Sequence, residues 1–235
     1  MNTHHAGLLE LLKSNASAVN KRAASKPYLG NNSTIYNVPS PVLRDITRQW
    51  LAENKSLSPE AILAVVDSLI GGSSHEEKKL ACFILGARKP VRSLATIAQL
   101  DQWLDSLSGW AEIDALCQSV FSVADVSPSW QNWVDFLSRL SKDTNINRRR
   151  ASLVFLVGLT RKTDDDRFHS LAKANIRRLM TEKDVLITKT ISWLLRCMIK
   201  TQRTQTALFL EEHAQALPAI AVRETRAKLK LGKKA

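Results

Sequence analysis

Four helix starts, at Ser74, Gly109, Asn147 and Asp184, follow one another at intervals of roughly 35 to 38 residues along this chain. Each is preceded by a further helical stretch, so the recurring unit is a pair of helices. Only 8 Gly and 7 Pro punctuate the sequence. No stretch shows the strict apolar–polar alternation of a half-buried strand. Paired helices at this period predict an all-α fold, an α-solenoid of antiparallel helix pairs of the HEAT-like or armadillo-like kind. In such a stack one helix of each pair lines a concave face. A single domain over residues 1–235 is expected.

The local signals agree with this pattern. A first helical region runs from about Thr3 to Ala24, and a polar, broken stretch follows from Lys26 to Ser33. Ser40-Pro41 and Ser58-Pro59 each read as a cap followed by proline in the first turn. They open helices to about Asn54 and to Ile70, the second stopped by Gly71-Gly72. Ser74 and Glu77 have the spacing of a capping box. Ser127-Pro128 opens a helix through Trp130, Trp133 and Leu137. Lys183 to Met198 is a helix with Ile187, Ile191, Leu194, Leu195 and Met198 as its core stripe. Pro218 begins a last helix that turns basic through Arg223, Arg226, Lys228 and Lys230.

Composition narrows the function classes. Hydrophobic residues make up 44% of the chain, enough for a core. Lys and Arg number 34 against 22 Asp and Glu, a net charge of +12. A polyanion rewards that imbalance, because Lys and Arg release its condensed counterions on binding; membranes and acidic proteins are the other partners such charge allows. The three cysteines, Cys82, Cys117 and Cys197, lie far apart in apolar helical contexts and read as buried free thiols of a reducing compartment. The five histidines form no metal-ligand spacing with them, so no metal or other cofactor is expected. There is no apolar core of a signal peptide and no run of about 18 apolar residues, and a cytoplasmic protein is expected. No phosphate-binding glycine loop is present, which argues against nucleotide hydrolysis.

The unusual residues fall on the second helices of the pairs. Trp110 and Asp114 are four apart and share one face of the helix starting at Gly109, while Ile113, Leu116 and Val120 make an apolar face. The helix at Asn147 opens with Arg148-Arg149-Arg150, although cations at a helix N-terminus are disfavoured by the macrodipole. The helix at Asp184 carries Lys189, Trp193, Arg196 and Lys200 on one face. If these helices line the concave side, the result is a basic groove holding two Trp and one carboxylate. That is an electrostatic footprint for a phosphate backbone, with aromatic surface for a sugar or base. Plainer readings stand beside it: a core Trp at 193, a half-buried Trp110 next to a solvated Asp114, and a solvated helix start at the Arg run.

Together these residues resemble the AlkD-like alkylpurine DNA glycosylases, of the HEAT-repeat DNA alkylation repair family. The resemblance is carried by Tyr28, then Ile35-Tyr36-Asn37-Val38-Pro39-Ser40-Pro41 with Leu43-Arg44, where Asn37 stands in the place of the family's usual Gly. It continues in Trp110-x-x-x-Asp114, in Arg149-Arg150-Ala151-Ser152-Leu153, and in Ile187-Thr188-Lys189-Thr190-Ile191-Ser192-Trp193-Leu194-Leu195-Arg196. Gly109 departs from relatives that place an aromatic before the Trp. The resemblance implies hydrolysis of the N-glycosidic bond of cationic alkylated purines, 3-methyladenine and 7-methylguanine, in duplex DNA, without flipping the base into a pocket. It implies Asp114 as the catalytic carboxylate, Trp110 and Trp193 as walls around the sugar, and Tyr28 closing the site. Arg150 would hold a phosphate, helped by Arg148, Arg149, Lys189 and Arg196. A cationic base is already a good leaving group and needs no general acid; what grows is positive charge on the sugar, which a carboxylate and aromatic faces stabilise. The protein is expected to act as a monomer on DNA, with no membrane partner. Two other readings are a relative that binds DNA without excising, which typically lacks part of the Trp–Asp set, and a protein-binding helical scaffold, whose groove should be chemically mixed.

Overall fold

The computed structural model describes residues 2–17, 30, 33–118 and 120–232. Among them every regular element is helical, and the β pairing is a lone bridge between Thr34 and Ser74. None of the described helices is long and apolar enough to cross a membrane. The chain divides into two compact units, Met1–Val120 and Phe121–Ala235, each with its own apolar core.

The first unit holds α1 (Thr3–Ser14), α2 (Ser40–Glu53), α3 (Pro59–Ile70), α4 (His75–Ala87), α5 (Lys89–Leu94), α6 (Ile97–Ser106) and α7 (Gly109–Cys117). The second helices pack as a row, α2 on α4 and α4 on α7, with α3 against α4 and α6 against α3. Leu43, Val65, Val66, Leu80, Ile84, Leu104, Ile113 and Leu116 fill the space between. The α4 start is the best-tied of these helix ends. Ser74 Oγ accepts from the Glu77 amide while Glu77 Oε2 accepts from the Ser74 amide at 2.8 Å, completing the capping box. His5 Nε2 lies 2.7 Å from Glu77 Oε1 and bonds α1 to it. A Cβ at Gly72 would meet that Glu77 carboxylate at 2.5 Å, which is why a glycine precedes the box.

The second unit begins with the short α8 (Val123–Val126) and a tight turn, Ser127–Ser129. It continues with α9 (Trp130–Leu140), α10 (Ile146–Thr160), α11 (Asp166–Leu179), α12 (Val185–Met198), α13 (Arg203–Glu212) and α14 (Ala219–Leu231). Here too the second helices form a row, α10 on α12 and α12 on α14. The centre is α10, buried at every residue from Arg150 to Thr160, as a helix apolar on all sides must be. Phe121, Trp133, Phe136 and Phe155 meet edge-on or tilted beside it, with ring centroids 5.3 to 6.2 Å apart.

The expected period is present, since α4, α7, α10 and α12 begin within two residues of the four starts read from the sequence, and α14 adds a fifth. Several boundaries differ. The first helix ends at Ser14, where Ser14 Oγ and Asn15 Nδ2 donate to the Leu11 carbonyl and close it; the rest of the expected helical region, up to Ala24, falls in residues 18–29, which lie outside the described set. Ser40 is not the cap of α2; Pro39 holds that position, and Ser40 Oγ accepts from Lys79 Nζ instead. Gly71 ends α3 at φ −73°, without the left-handed turn its residue type suggested. The three cysteines are buried free thiols, and burial pushes Cys82 up to about 12.

Candidate active site

In the first unit the row α2–α4–α7 lines an open pocket of about 1080 Å³. Its floor on the α7 side is Trp110 and Asp114, both half-buried, on the face opposite the fully buried Ile113 and Leu116. Arg44, Arg48 and Lys55 reach it from α2 and the turn after it, Lys79 and Arg88 from α4 and its end. Asp114 is the only acid among the described lining residues. The Arg44 guanidinium lies over the Phe83 ring at 5.2 Å, and Lys79 donates to Ser40 Oγ at 2.9 Å. Burial holds the Lys79 ammonium below its usual pKa; Glu76 works against this and Arg44 adds to it. Such a pocket can accept anionic phosphates on its cations while offering one carboxylate and one large aromatic face to a reacting group.

Beneath Trp110 and Asp114, Glu112 is 1% exposed. Its Oε1 accepts from Ser33 Oγ at 3.0 Å and faces His75 Nδ1 at 3.4 Å; its Oε2 accepts from Lys78 Nζ at 3.2 Å and from the Ser108 amide at 3.0 Å. Burial works to raise the Glu112 carboxyl, and these donors outweigh it and hold it below the ordinary carboxylate value. The two departures noted in the sequence also have local causes. Asn37 sits at φ 58°, a left-handed position that glycine favours and asparagine tolerates. Gly109 sits at φ 71°, and a Cβ on Gly30 would lie 3.4 Å from its Cα, so the α7 entry is built for glycine.

In the second unit, Trp193 is half-buried on α12, on one face with the exposed Lys189 and the half-buried Arg196, and the exposed Lys200 follows in the turn after the helix. Arg196 is paired with Glu224 at 3.3 Å. The arginines at the start of α10 face inward more than expected. Arg150 is 6% exposed and donates to the Leu186 carbonyl at 2.6 Å and Thr190 Oγ1 at 2.5 Å, tying α10 to α12. Arg149 grips Glu182 through two bonds, 2.7 and 3.2 Å. Arg148 lies 3.7 Å from Asp143. These carboxylates and carbonyls offset the clash of three cations with the helix dipole. Tyr28 lies outside the described residues. The structure therefore brings Trp110 and Asp114 into one pocket, and gathers Lys189, Trp193 and Arg196 on one face of α12. Arg48, Lys79, Phe83 and Arg88 were not singled out from sequence. The i, i+4 spacing of Arg44 with Arg48, and of Lys79 with Phe83, was the available signal.

Helix pairs in register and a cationic pocket with one carboxylate define a helical-repeat protein suited to a polyanion. The sequence model described as DNA alkylation repair enzyme matches residues 8–229, and the chain belongs to that family, whose substrate is DNA. Among solved structures, a predicted DNA alkylation repair enzyme from Enterococcus faecalis has a similar fold: TM-score 0.63 and 19% sequence identity, over 95% of this chain and 94% of that one. No match was found among the curated proteins.

Proposed function

We propose that the protein is an alkylpurine DNA glycosylase that hydrolyses the N-glycosidic bond of cationic alkylated purines, such as 3-methyladenine and 7-methylguanine, in duplex DNA. The observation that carries this reading is Asp114, beside Trp110, as the lone acid among the described lining residues of a pocket that also carries Arg44, Arg48, Lys55, Lys79 and Arg88. Phosphates flanking the lesion bind Arg44, Arg48, Lys79 and Arg88. The positively charged base departs with the bonding electrons, and positive charge develops on the sugar. Asp114 stabilises that charge and orients the water that attacks C1′. The face of Trp110 adds cation–π attraction and excludes water, which strengthens the carboxylate's effect; Trp193 keeps the role of a second wall that the family resemblance implies. Lys189 and Arg196 contact the backbone, with Arg148 and Arg149 at the edge; Tyr28 keeps the closing role that the family resemblance implies. In this reading residues 1–235 work as one domain, as a monomer in the cytoplasm, and the lesion stays stacked.

The test is single-turnover release of free base from duplex DNA containing 7-methylguanine, run beside a binding titration. Asp114→Asn keeps size and removes charge; release should slow on the order of 100-fold or more, with DNA affinity held or slightly improved. Release at the parental rate by Asp114→Asn overturns the mechanism. DNA binding by the parent without release of any base supports a non-excising family member instead.

A further inference from the structure

The row of buried polar side chains under α7 has no part in the chemistry above, yet it converges on the two residues that do. Glu112 lies two residues after Trp110 and two before Asp114. On a helix that spacing puts it on the side opposite both. Its four donors come from three different parts of the first unit: Ser33 from the segment ahead of α2, His75 and Lys78 from the first turn of α4, and the Ser108 amide from the entry to α7 itself. Ser33 Oγ also accepts from Lys78 Nζ at 3.1 Å, so the donors are tied to each other. The anchoring side is in turn fixed by the Thr34–Ser74 bridge, where the His75 amide donates to the Thr34 carbonyl at 2.8 Å and the Thr34 amide to the Ser73 carbonyl at 3.0 Å.

The apolar contacts of α7 act differently. Ile113, Leu116 and Cys117 set how deeply the helix sinks into the core, but apolar burial is non-directional and does not set its rotation. A carboxylate held at both oxygens does. The helix is only nine residues long. A rotation of about 10° about its axis would move a side-chain tip, about 5 to 6 Å out, by about 1 Å. Misplacement of that size costs about 100-fold in rate where reacting groups must be aligned.

We propose that Glu112, held by Lys78, His75, Ser33 and the Ser108 amide, is a positioning residue: it locks the rotation of α7 and so aims Trp110 and Asp114 into the pocket. This rests on the glycosylase reading for its effect on rate, but not for its effect on geometry. Glu112→Gln keeps shape and removes the charge that Lys78 faces, and Ser33→Ala removes one hydrogen bond without stranding a charge. Both variants are compared with the parent in two assays. The first is single-turnover release of 7-methylguanine at saturating DNA, beside the DNA dissociation constant. The second is the position of the Trp110 indole N–H resonance, assigned with Trp110→Phe. Glu112→Gln should slow release about tenfold or more, Ser33→Ala a few-fold, with affinity within about twofold of the parent. In both, the Trp110 resonance should move while that of Trp193 stays. Parental rates and an unmoved Trp110 resonance overturn the proposal. So does a loss confined to affinity. Should Glu112→Gln fail to fold, Ser33→Ala alone decides by the same criteria. If the parent releases no base, the glycosylase reading fails, and the Trp110 resonance still tests the positioning.

Discussion

Trp193 shows what a single position can and cannot disclose about itself. Its neighbours in sequence, Leu194 and Leu195, are fully buried, and the apolar context alone suggests a core residue. The structure leaves it half-buried among Lys189, Arg196 and Lys200. Trp193→Ala is therefore expected to slow 7-methylguanine release by about tenfold or more, as loss of a wall around developing charge does. It should cost clearly less stability than the roughly 3 to 5 kcal/mol of a truncated core Trp; urea denaturation beside the release assay measures both. Arg150 runs the other way. Its guanidinium is committed to the Leu186 carbonyl and Thr190, so Arg150→Ala should destabilise the fold by about 1 to 3 kcal/mol, the range for a lost charged hydrogen bond in a buried setting. A folded Arg150→Ala with parental urea midpoint and weakened DNA binding would return it to the phosphate-binding role implied by resemblance.

At the scale of the helices, the decisive contacts are those that join one element to the next. The junction of α10 and α11 is closed by His169, whose Nε2 donates to the Thr163 carbonyl at 3.0 Å while its buried Nδ1 has no hydrogen-bond partner among the described residues. A second proton on the ring would bury an unpaired N–H, and burial holds the His169 pKa below its usual 6.5. In the window between the lowered value and 6.5 the unfolded chain binds more protons than the folded one, so stability is full above 6.5 and falls as pH drops through that window. The urea midpoint should thus decline from pH 7 to pH 5, and His169→Leu, which removes the titration, should flatten that part of the curve. An unchanged pH dependence in His169→Leu assigns the decline to other groups. The α7 entry follows the same rule: Gly109 at φ 71° and Glu112 beneath it set the direction of a nine-residue helix that its own propensity could not hold.

For the whole molecule, the charge of +12 sets the terms of DNA binding. Affinity for duplex DNA should fall steeply and linearly on a log–log plot against salt, and removing the exposed cation in Lys189→Ala should lower the slope by about one. Binding that ignores salt would point to a protein partner instead. Much of the architecture was legible beforehand, because helix pairing is a local matter. Caps such as Ser58 and Ser74, prolines in first turns, and apolar stripes at helical spacing located the recurring starts and made an all-α repeat fold the consistent solution. The face shared by Trp110 and Asp114 was legible for the same reason, since four residues on one helix are always neighbours. The pocket was not. Arg44, Lys79 and Asp114 become neighbours only because α2, α4 and α7 lie side by side, and that packing depends on contacts between residues far apart in the chain. The three arginines at the start of α10 looked alike in sequence, yet the fold gives them different partners: Arg150 the Leu186 carbonyl and Thr190, Arg149 the Glu182 carboxylate, and Arg148 a place 3.7 Å from Asp143. Glu112 passed unnoticed because an acid in a first helical turn is ordinary, and only the four donors folded around it make it otherwise. The chain by itself determined its helices, their pairing and its affinity for a polyanion, all properties of spacing and charge. Tertiary structure decided which charges face the pocket and which are spent inside, because burial and hydrogen-bond geometry exist only once distant segments meet.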